Sequence, residues 1–293
     1  MQLAVIGVGV MGSAIAGRLL DSGATLHLYD RNAAQMAPLI ARGAIASGSA
    51  REATANADHV IISLNSAAIV EQAVFGPDGV AQAADAGKLL IDMSSIDAGR
   101  TAIMAQRLRE GSGMGWVDAP LSGGAPAAAQ GKLTLMVGGT AEDFARARPV
   151  LDHLSINITL FGPPGAGQTV KLINQILCAN AFMAVAEAVR FAEAHGVDAT
   201  LIPAALAGGR ADSRILQEYM GKMARRDYTP TGRIDNMLKD LETVQASALA
   251  TRTPLPVTSL IADLHRMAVA GGLGPADSAA YMRLFDMDGE QPA

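Results

Sequence analysis

The chain has 293 residues, half of them apolar, enough for a substantial core and a comfortable length for two domains. Its 23 basic and 28 acidic side chains leave a formal charge of −5, so no net positive field favours nucleic acid or anionic lipid, and a small molecule is the expected partner. The single cysteine, Cys178, excludes an intrachain disulfide and a cysteine-based zinc site, no metal is expected, and a lone thiol fits the cytoplasm.

The N-terminal MQLAVIGVG lacks a basic segment followed by an apolar run of signal length and reads as a strand from residue 2. Short apolar runs follow at LAVIGV 3–8, TLHLYD 25–30, HVIISL 59–64, KLLIDM 88–93, GWVDA 115–119 and LTLMV 133–137. Helical patterns such as Met11 to Asp21 and Ala98 to Arg109 lie between them. This α/β alternation predicts a Rossmann domain, a doubly wound and mostly parallel sheet covered on both faces.

At Gly162-Pro163-Pro164-Gly165 the pattern breaks, which divides the chain into domains at 1–162 and 163–293. From Gln168 to about His195 apolar positions recur at helical spacing, and His195-Gly196 reads as a C-cap. This long interdomain helix opens an all-α C-terminal domain, with further helices predicted at 199–208, 211–224, 232–250, 256–271 and 275–285. The most apolar stretch, around Leu177 to Val189, is interrupted by Asn180 and Glu187 and falls short of the roughly 20 residues a bilayer span requires, so no membrane is expected.

Gly7, Gly9 and Gly12, with Val8, Val10 and Met11 between them, follow the first strand and open the first helix. In that context the glycines permit a tight turn, close approach of the backbone to a pyrophosphate and close helix-strand packing. Asp30 ends the second strand, where a carboxylate accepts hydrogen bonds from ribose hydroxyls and disfavours a 2′-phosphate. NAD is therefore the expected cofactor, with NADP kept open by Arg31. Leu64 and Asn65, Ser95, and Ser122, Gly123 and Gly124 follow later strands at the edge where open α/β sheets bind ligands. Each also has an ordinary reading as turn chemistry. In DAPLSGG the hydroxyl and the glycine backbone would offer O–H and N–H groups to a carboxylate.

In GAGQTVKLINQ at 165–175, Lys171 falls in the first turn of the long helix, with Asn174 at i+3 and Gln175 at i+4. An ammonium there meets the positive end of the helix dipole, while a substrate carboxylate would act the other way. Oxidising an alcohol with NAD removes a hydride and a proton; a neutral lysine can accept that proton, and an ammonium can return it. A solvated surface lysine is the competing reading.

GVGVMGSAIAGRLL, DAPLSGGAPAAAQGKLTLMVGG, GAGQTVKLINQ and MLKDLETV, in this order, resemble motifs of the β-hydroxyacid dehydrogenases over nearly the whole chain. That family includes 3-hydroxyisobutyrate dehydrogenase, tartronate semialdehyde reductase and L-threonate dehydrogenase. The resemblance implies NAD(P)-dependent interconversion of a small 3-hydroxy acid and its semialdehyde or keto form. By it, Lys171 is the general acid/base, Ser122, Gly123 and Gly124 hold the substrate carboxylate, Asn174 orients the substrate, and Lys239 and Asp240 lie near the nicotinamide and substrate. It further implies a homodimer or homotetramer whose all-α domains pack together.

Three departures from the family pattern stand out. Gln175 replaces the second Asn of many members, as in tartronate semialdehyde reductases. Gly232, followed by Arg233, stands where many carry an aromatic residue, which implies a wider pocket and a guanidinium for a second polar end of the substrate. Asn65 stands where proline is common. A polar acid such as glycerate or a four-carbon sugar acid is thus expected over 3-hydroxyisobutyrate. A catalytically silent dinucleotide-binding module, and imine reduction on the same plan, are the alternatives; the lysine counts against both.

Overall fold

The computed structural model describes residues 1–286. It divides into two compact units, Met1–Lys171 and Leu172 onward. The first unit contains, in chain order, β1 (Gln2–Ile6), α1 (Val10–Asp21), β2 (Thr25–Tyr29), α2 (Ala37–Ile40), β3 (Ile45–Ala46), α3 (Ala50–Ala55), β4 (His59–Ile62), α4 (Ala67–Phe75) and β5 (Leu89–Asp92). It continues with α5 (Ala98–Ser112), β6 (Gly115–Asp118), β7 (Leu121–Ser122), α6 (Gly124–Ala129), β8 (Leu133–Gly138), α7 (Ala141–Leu151) and β9 (Ser155–Gly162). One sheet runs β3-β2-β1-β4-β5-β6-β8-β7, with β9 paired to β8.

The apolar runs form these strands because both faces are covered. Leu3, Val5, Ile61, Leu89 and Ile91 pack in the core on one face, and Ala4, Ile6, Val60, Ile62 and Leu90 in that on the other. β1 pairs in parallel with both β2 and β4, so the strand order reverses at β1, and the crevice beyond its carboxyl end is the expected ligand position of a doubly wound sheet.

Parallel pairing fails at β6–β8 and β7–β8, which are antiparallel. There Pro120 and the glycines fold the chain back before a full crossover helix forms, and α6 has only six residues. β9 was not expected from the sequence. Its residues are alternately exposed rather than continuously apolar, the signature of a strand covered on one side only. The two-residue β3 and β7 are too short to leave a periodic pattern.

α8 (Ala166–Ala194) carries the chain from one unit into the other, and its first turn belongs to the first. It is followed by α9 (Ile202–Leu206), α10 (Arg214–Ala224), α11 (Ile234–Thr251) and α12 (Pro256–Ala268). The predicted 199–208 helix is a 3-10 turn at Ala199–Leu201 leading into the short α9, and 275–285 is 3-10 at Ser278–Leu284. Beyond α12 a π segment, Val269–Leu273, is interrupted at Gly272, whose φ of 84° no regular helix tolerates.

Contrary to the expectation from residues 177–189, α8 is long and apolar enough to cross a bilayer among the described residues, because the helix extends well beyond that stretch. Its apolar positions have another use. Ala179, Phe182, Met183, Ala186 and Val189 are buried in the second unit's own core with Tyr219, Met220, Leu241 and Tyr281. Phe182 meets Tyr219 edge to face, ring centroids 4.6 Å apart. A buried carboxylate, Asp277, accepts hydrogen bonds from the Thr231 N–H (2.6 Å), the Thr231 hydroxyl (2.7 Å) and the Gly232 N–H (3.0 Å), and so fixes the entry to α11.

Candidate active site

The three glycines of the first loop answer to different needs. Gly7 has φ +87°, and a Cβ there would lie 2.5 Å from the Ser63 carbonyl oxygen. At Gly12 a Cβ would run into the Gly7 carbonyl. Gly9 is different, because its φ of −68° suits any residue and a Cβ would meet nothing within 4 Å among the described residues. The protein itself does not require glycine at 9. Gly9 is the N-cap of α1, with no side-chain cap and no acidic residue in the first turn, so backbone N–H groups and the positive dipole end face that open space. A helix start of this kind suits an anion such as a pyrophosphate.

Asp30, the residue after β2, holds this loop. Its Oδ2 accepts from the Val8 N–H at 2.6 Å and its Oδ1 from the Asn32 N–H at 2.8 Å. Arg31 beside it is exposed. Val10 is 81% exposed, which places an apolar side chain at the open mouth of the loop. Met11 is partly buried against the core.

Further along the same sheet edge, the Leu64 N–H donates to the Ser94 hydroxyl at 3.0 Å, and the Ser94 N–H donates to Asp92 at 2.9 Å. Ser95 is half-buried and Asn65 exposed. Ser122 closes β7 opposite Thr134, and the exposed Gly123 and Gly124 follow with φ of 121° and 68°.

The sequence reading missed two residues that set the start of α8. Asp118, buried at the end of β6, accepts from the Gly165 N–H at 2.7 Å and the Gln168 N–H at 2.9 Å. A carboxylate thus caps the helix from a strand. Burial raises its pKa above the ordinary carboxylate range, and the N–H donors of Gly165 and Gln168 act against that rise. Gly167 permits the approach, because a Cβ there would strike the Met136 carbonyl oxygen and sit 2.8 Å from Asp118. Gln168 in turn donates to the Ser94 carbonyl at 2.8 Å and accepts from the Ile96 N–H at 3.1 Å. Lys171, half-buried, follows in the next turn. The only signal in the sequence was an Asp inside an otherwise apolar strand, GWVDA.

In the second unit the expected residues form one chain of contacts. Asn174 donates to Gln175 Oε1 at 2.8 Å, Gln175 donates to Asp240 Oδ2 at 2.6 Å, and Lys239 pairs with Asp240 Oδ1 at 3.2 Å. Gln175 and Asp240 are each 8% exposed, so this amide and carboxylate are fixed rather than solvated. Arg233 does not join them. It is the exposed N-cap of α11, and its guanidinium pairs with Asp235 two residues on. Gly232 has no positive φ, and a Cβ there would make only ordinary contacts, so the backbone does not demand glycine.

Residues 2–162 match the NAD-binding domain of 6-phosphogluconate dehydrogenase, and residues 165–285 match the NAD-binding family of NADP-dependent 3-hydroxyisobutyrate dehydrogenase. The chain is 36% identical to 2-hydroxy-3-oxopropionate reductase of Escherichia coli, covering 98% of each chain. It is 35% identical to the NAD-dependent L-serine dehydrogenase of Pseudomonas aeruginosa, over 97% of this chain and 98% of that one. Among solved structures, Mycobacterium tuberculosis 3-hydroxyisobutyrate dehydrogenase with L-serine superposes with a TM-score of 0.88 at 29% identity, over 97% of this chain and 98% of that one. The glycine loop with its open cradle, the lysine turn after it and these likenesses agree: the chain belongs to the β-hydroxyacid dehydrogenase family and is an NAD(P)-dependent oxidoreductase of small hydroxy acids.

Proposed function

We propose that the protein interconverts tartronate semialdehyde (2-hydroxy-3-oxopropionate) and glycerate, or a polar hydroxy acid of similar size and its oxidised form, with Lys171 as general acid/base. The observation that carries this reading is the anchoring of the Lys171 turn, through Asp118 and Gln168, to the sheet edge that bears the glycine loop. A bound nicotinamide cofactor would supply or accept the hydride. In the reducing direction the Lys171 ammonium gives its proton to the aldehyde oxygen as the carbonyl carbon gains the hydride. In the oxidising direction the neutral amine takes the hydroxyl proton.

In this reading residues 7–12, Asp30, Arg31, Leu64, Asn65, Ser95 and Lys239 hold the cofactor. Asp30, with both oxygens fixed by backbone N–H groups, favours NAD over NADP. Ser122, Gly123 and Gly124 take the carboxylate, Asn174, Gln175 and Asp240 orient the substrate, and Arg233 meets its second polar end. The first domain binds the dinucleotide and the α-helical domain also carries the oligomer contacts. Exposed Leu177, Phe191, Leu260 and Met267 on that domain support a homodimer or homotetramer, and the cytoplasm is the assigned compartment. L-Serine is a second substrate reading, supported by the Pseudomonas relative and by the ligand named with the mycobacterial structure.

The test is a spectrophotometric screen of NAD and NADP against glycerate, L-threonate, L-serine, 3-hydroxyisobutyrate and tartronate semialdehyde. Preference for 3-hydroxyisobutyrate would reject the polar-substrate reading, and the rank of L-serine decides the second. Lys171→Ala is expected to lose about 10² to 10⁴-fold in turnover while NADH binding persists. Retained turnover would remove Lys171 as the acid/base.

A further inference from the structure

Gln168 is 1% exposed, and its amide is spent on one short loop. Nε2–H donates to the Ser94 carbonyl at 2.8 Å while Oε1 accepts from the Ile96 N–H at 3.1 Å, so the two bonds bracket Ser95. Ser94 and Ile96 are 3% and 4% exposed. At so buried a site each group depends on the bond it makes to Gln168. The main chain of Gln168 is held as well, its N–H donating to Asp118 at 2.9 Å. An asparagine is one methylene short of spanning both groups, and an apolar side chain would leave a buried carbonyl and a buried N–H without this partner.

We infer that Gln168 is a positioning residue for catalysis: its amide fixes the Ser95 loop to the helical turn that carries Lys171 and so sets the distance between the cofactor-side loop and the proton donor. This rests on the proposed roles of Ser95 and Lys171. Both ends of the amide are spent on the loop itself. Its loss should therefore lower kcat more than it raises KM, because the misplacement affects reaction geometry rather than ground-state contacts.

The test replaces the amide with an isosteric group that can be switched. In Gln168→Glu a protonated carboxyl can still donate to the Ser94 carbonyl and accept from the Ile96 N–H, whereas the carboxylate can only accept. Asp118 on β6 accepts from the Gln168 N–H, Asp92 on β5 accepts from the Ser94 N–H, Asp97 follows Ile96 as the N-cap of α5, and Lys171 lies three residues further along α8. Burial beside these acids keeps the new carboxyl protonated on the acidic side of neutrality. Compared with wild type at the same pH, Gln168→Glu is then expected to have near-equal kcat at about pH 6 and to fall roughly 10 to 100-fold behind it by about pH 9. Gln168→Met should be lowered by a similar factor at every pH, with near wild-type NADH binding and a substrate KM changed less than kcat.

Thermal unfolding at each pH establishes that the variants are folded, and Gln168→Asn, expected to be slowed likewise, replaces either one that is not. Wild-type kcat across the pH range in the folded variants, with Lys171→Ala inactive, would overturn the inference while sparing the lysine. An active Lys171→Ala would instead remove the reading on which it rests.

Discussion

A matched pair of substitutions, Gly9→Ala and Gly12→Ala, separates what the fold needs from what the ligand needs. At position 12 the new methyl would overlap the Gly7 carbonyl oxygen, and relief requires α1 to move away from the loop. Overpacking of this kind costs about 1 to 3 kcal/mol. At roughly 2 to 4 °C per kcal/mol, the melting temperature should fall by some 2 to 12 °C without cofactor. At position 9 the backbone suits alanine and the methyl meets nothing within 4 Å among the described residues. Alanine is a poorer N-cap than glycine, by up to about 1 kcal/mol, but it also restricts the unfolded chain by about 0.4 to 1 kcal/mol, so the two effects nearly cancel.

Binding should show the reverse order. A methyl at 9 enters the space assigned to the pyrophosphate and displaces charge-assisted hydrogen bonds worth about 1.5 to 3 kcal/mol each, a weakening of roughly 10 to 150-fold in NADH affinity. Thermal unfolding of the apoprotein and fluorescence titration with NADH read the two quantities independently. A Gly9→Ala protein that binds NADH normally, or that melts as early as Gly12→Ala, would refute the assignment of that open space to the cofactor.

Burial raises the Asp92 carboxyl to about 7, with the hydrogen bonds from Ser94 opposing the rise and the nearby Asp118 charge adding to it. An unfolded aspartate titrates near 3.9, so from about pH 4 to pH 7 the folded state holds a proton that the unfolded state has lost. The associated stability, at most about 4 kcal/mol, is full below that window and is lost as pH rises through about 7. Asp92→Asn should flatten the slope of melting temperature against pH between about 4 and 7, and an unchanged slope would assign it to another group. Asp240→Ala removes the acceptor of the buried Gln175 amide and should cost about 1 to 3 kcal/mol, measured by denaturant unfolding. Arg233→Ala breaks only an exposed pair with Asp235, so the melting temperature should hold. The KM for polyhydroxylated acids should rise relative to that for 3-hydroxyisobutyrate, and an unchanged preference order would exclude Arg233 from recognition.

The Rossmann half was legible where its signals are local. β1, the glycine loop and α1 lie within residues 2–21, and each glycine, apolar run and helix start reports on neighbours a few positions away. β9 was not legible because one of its faces is largely exposed, which removes the continuous apolar run that identified the central strands. The helices of the second unit were found by period and punctuation, but their ends moved where a 3-10 turn replaced an α turn, as at Ala199–Leu201.

Asp118 and Gln168 were hidden for a different reason. Their bonds join residues 47, 50, 72 and 74 positions apart, and no spacing rule along one chain segment reports on such pairs. The sequence alone made the start of α8 a bare positive dipole end acting on Lys171. The fold instead sets the Asp118 carboxylate against that end, where Gly165 and Gln168 donate to it. The same contact satisfies free helix N–H groups, compensates a buried carboxylate and joins the helix to the sheet, so three requirements that each carry a cost alone are met together. Glycine at 167 follows from this packing, since any Cβ would push the cap away. The glycines around Lys171 that first read as a turn are better understood as the clearance that lets a strand-borne carboxylate hold the base-bearing helix in place.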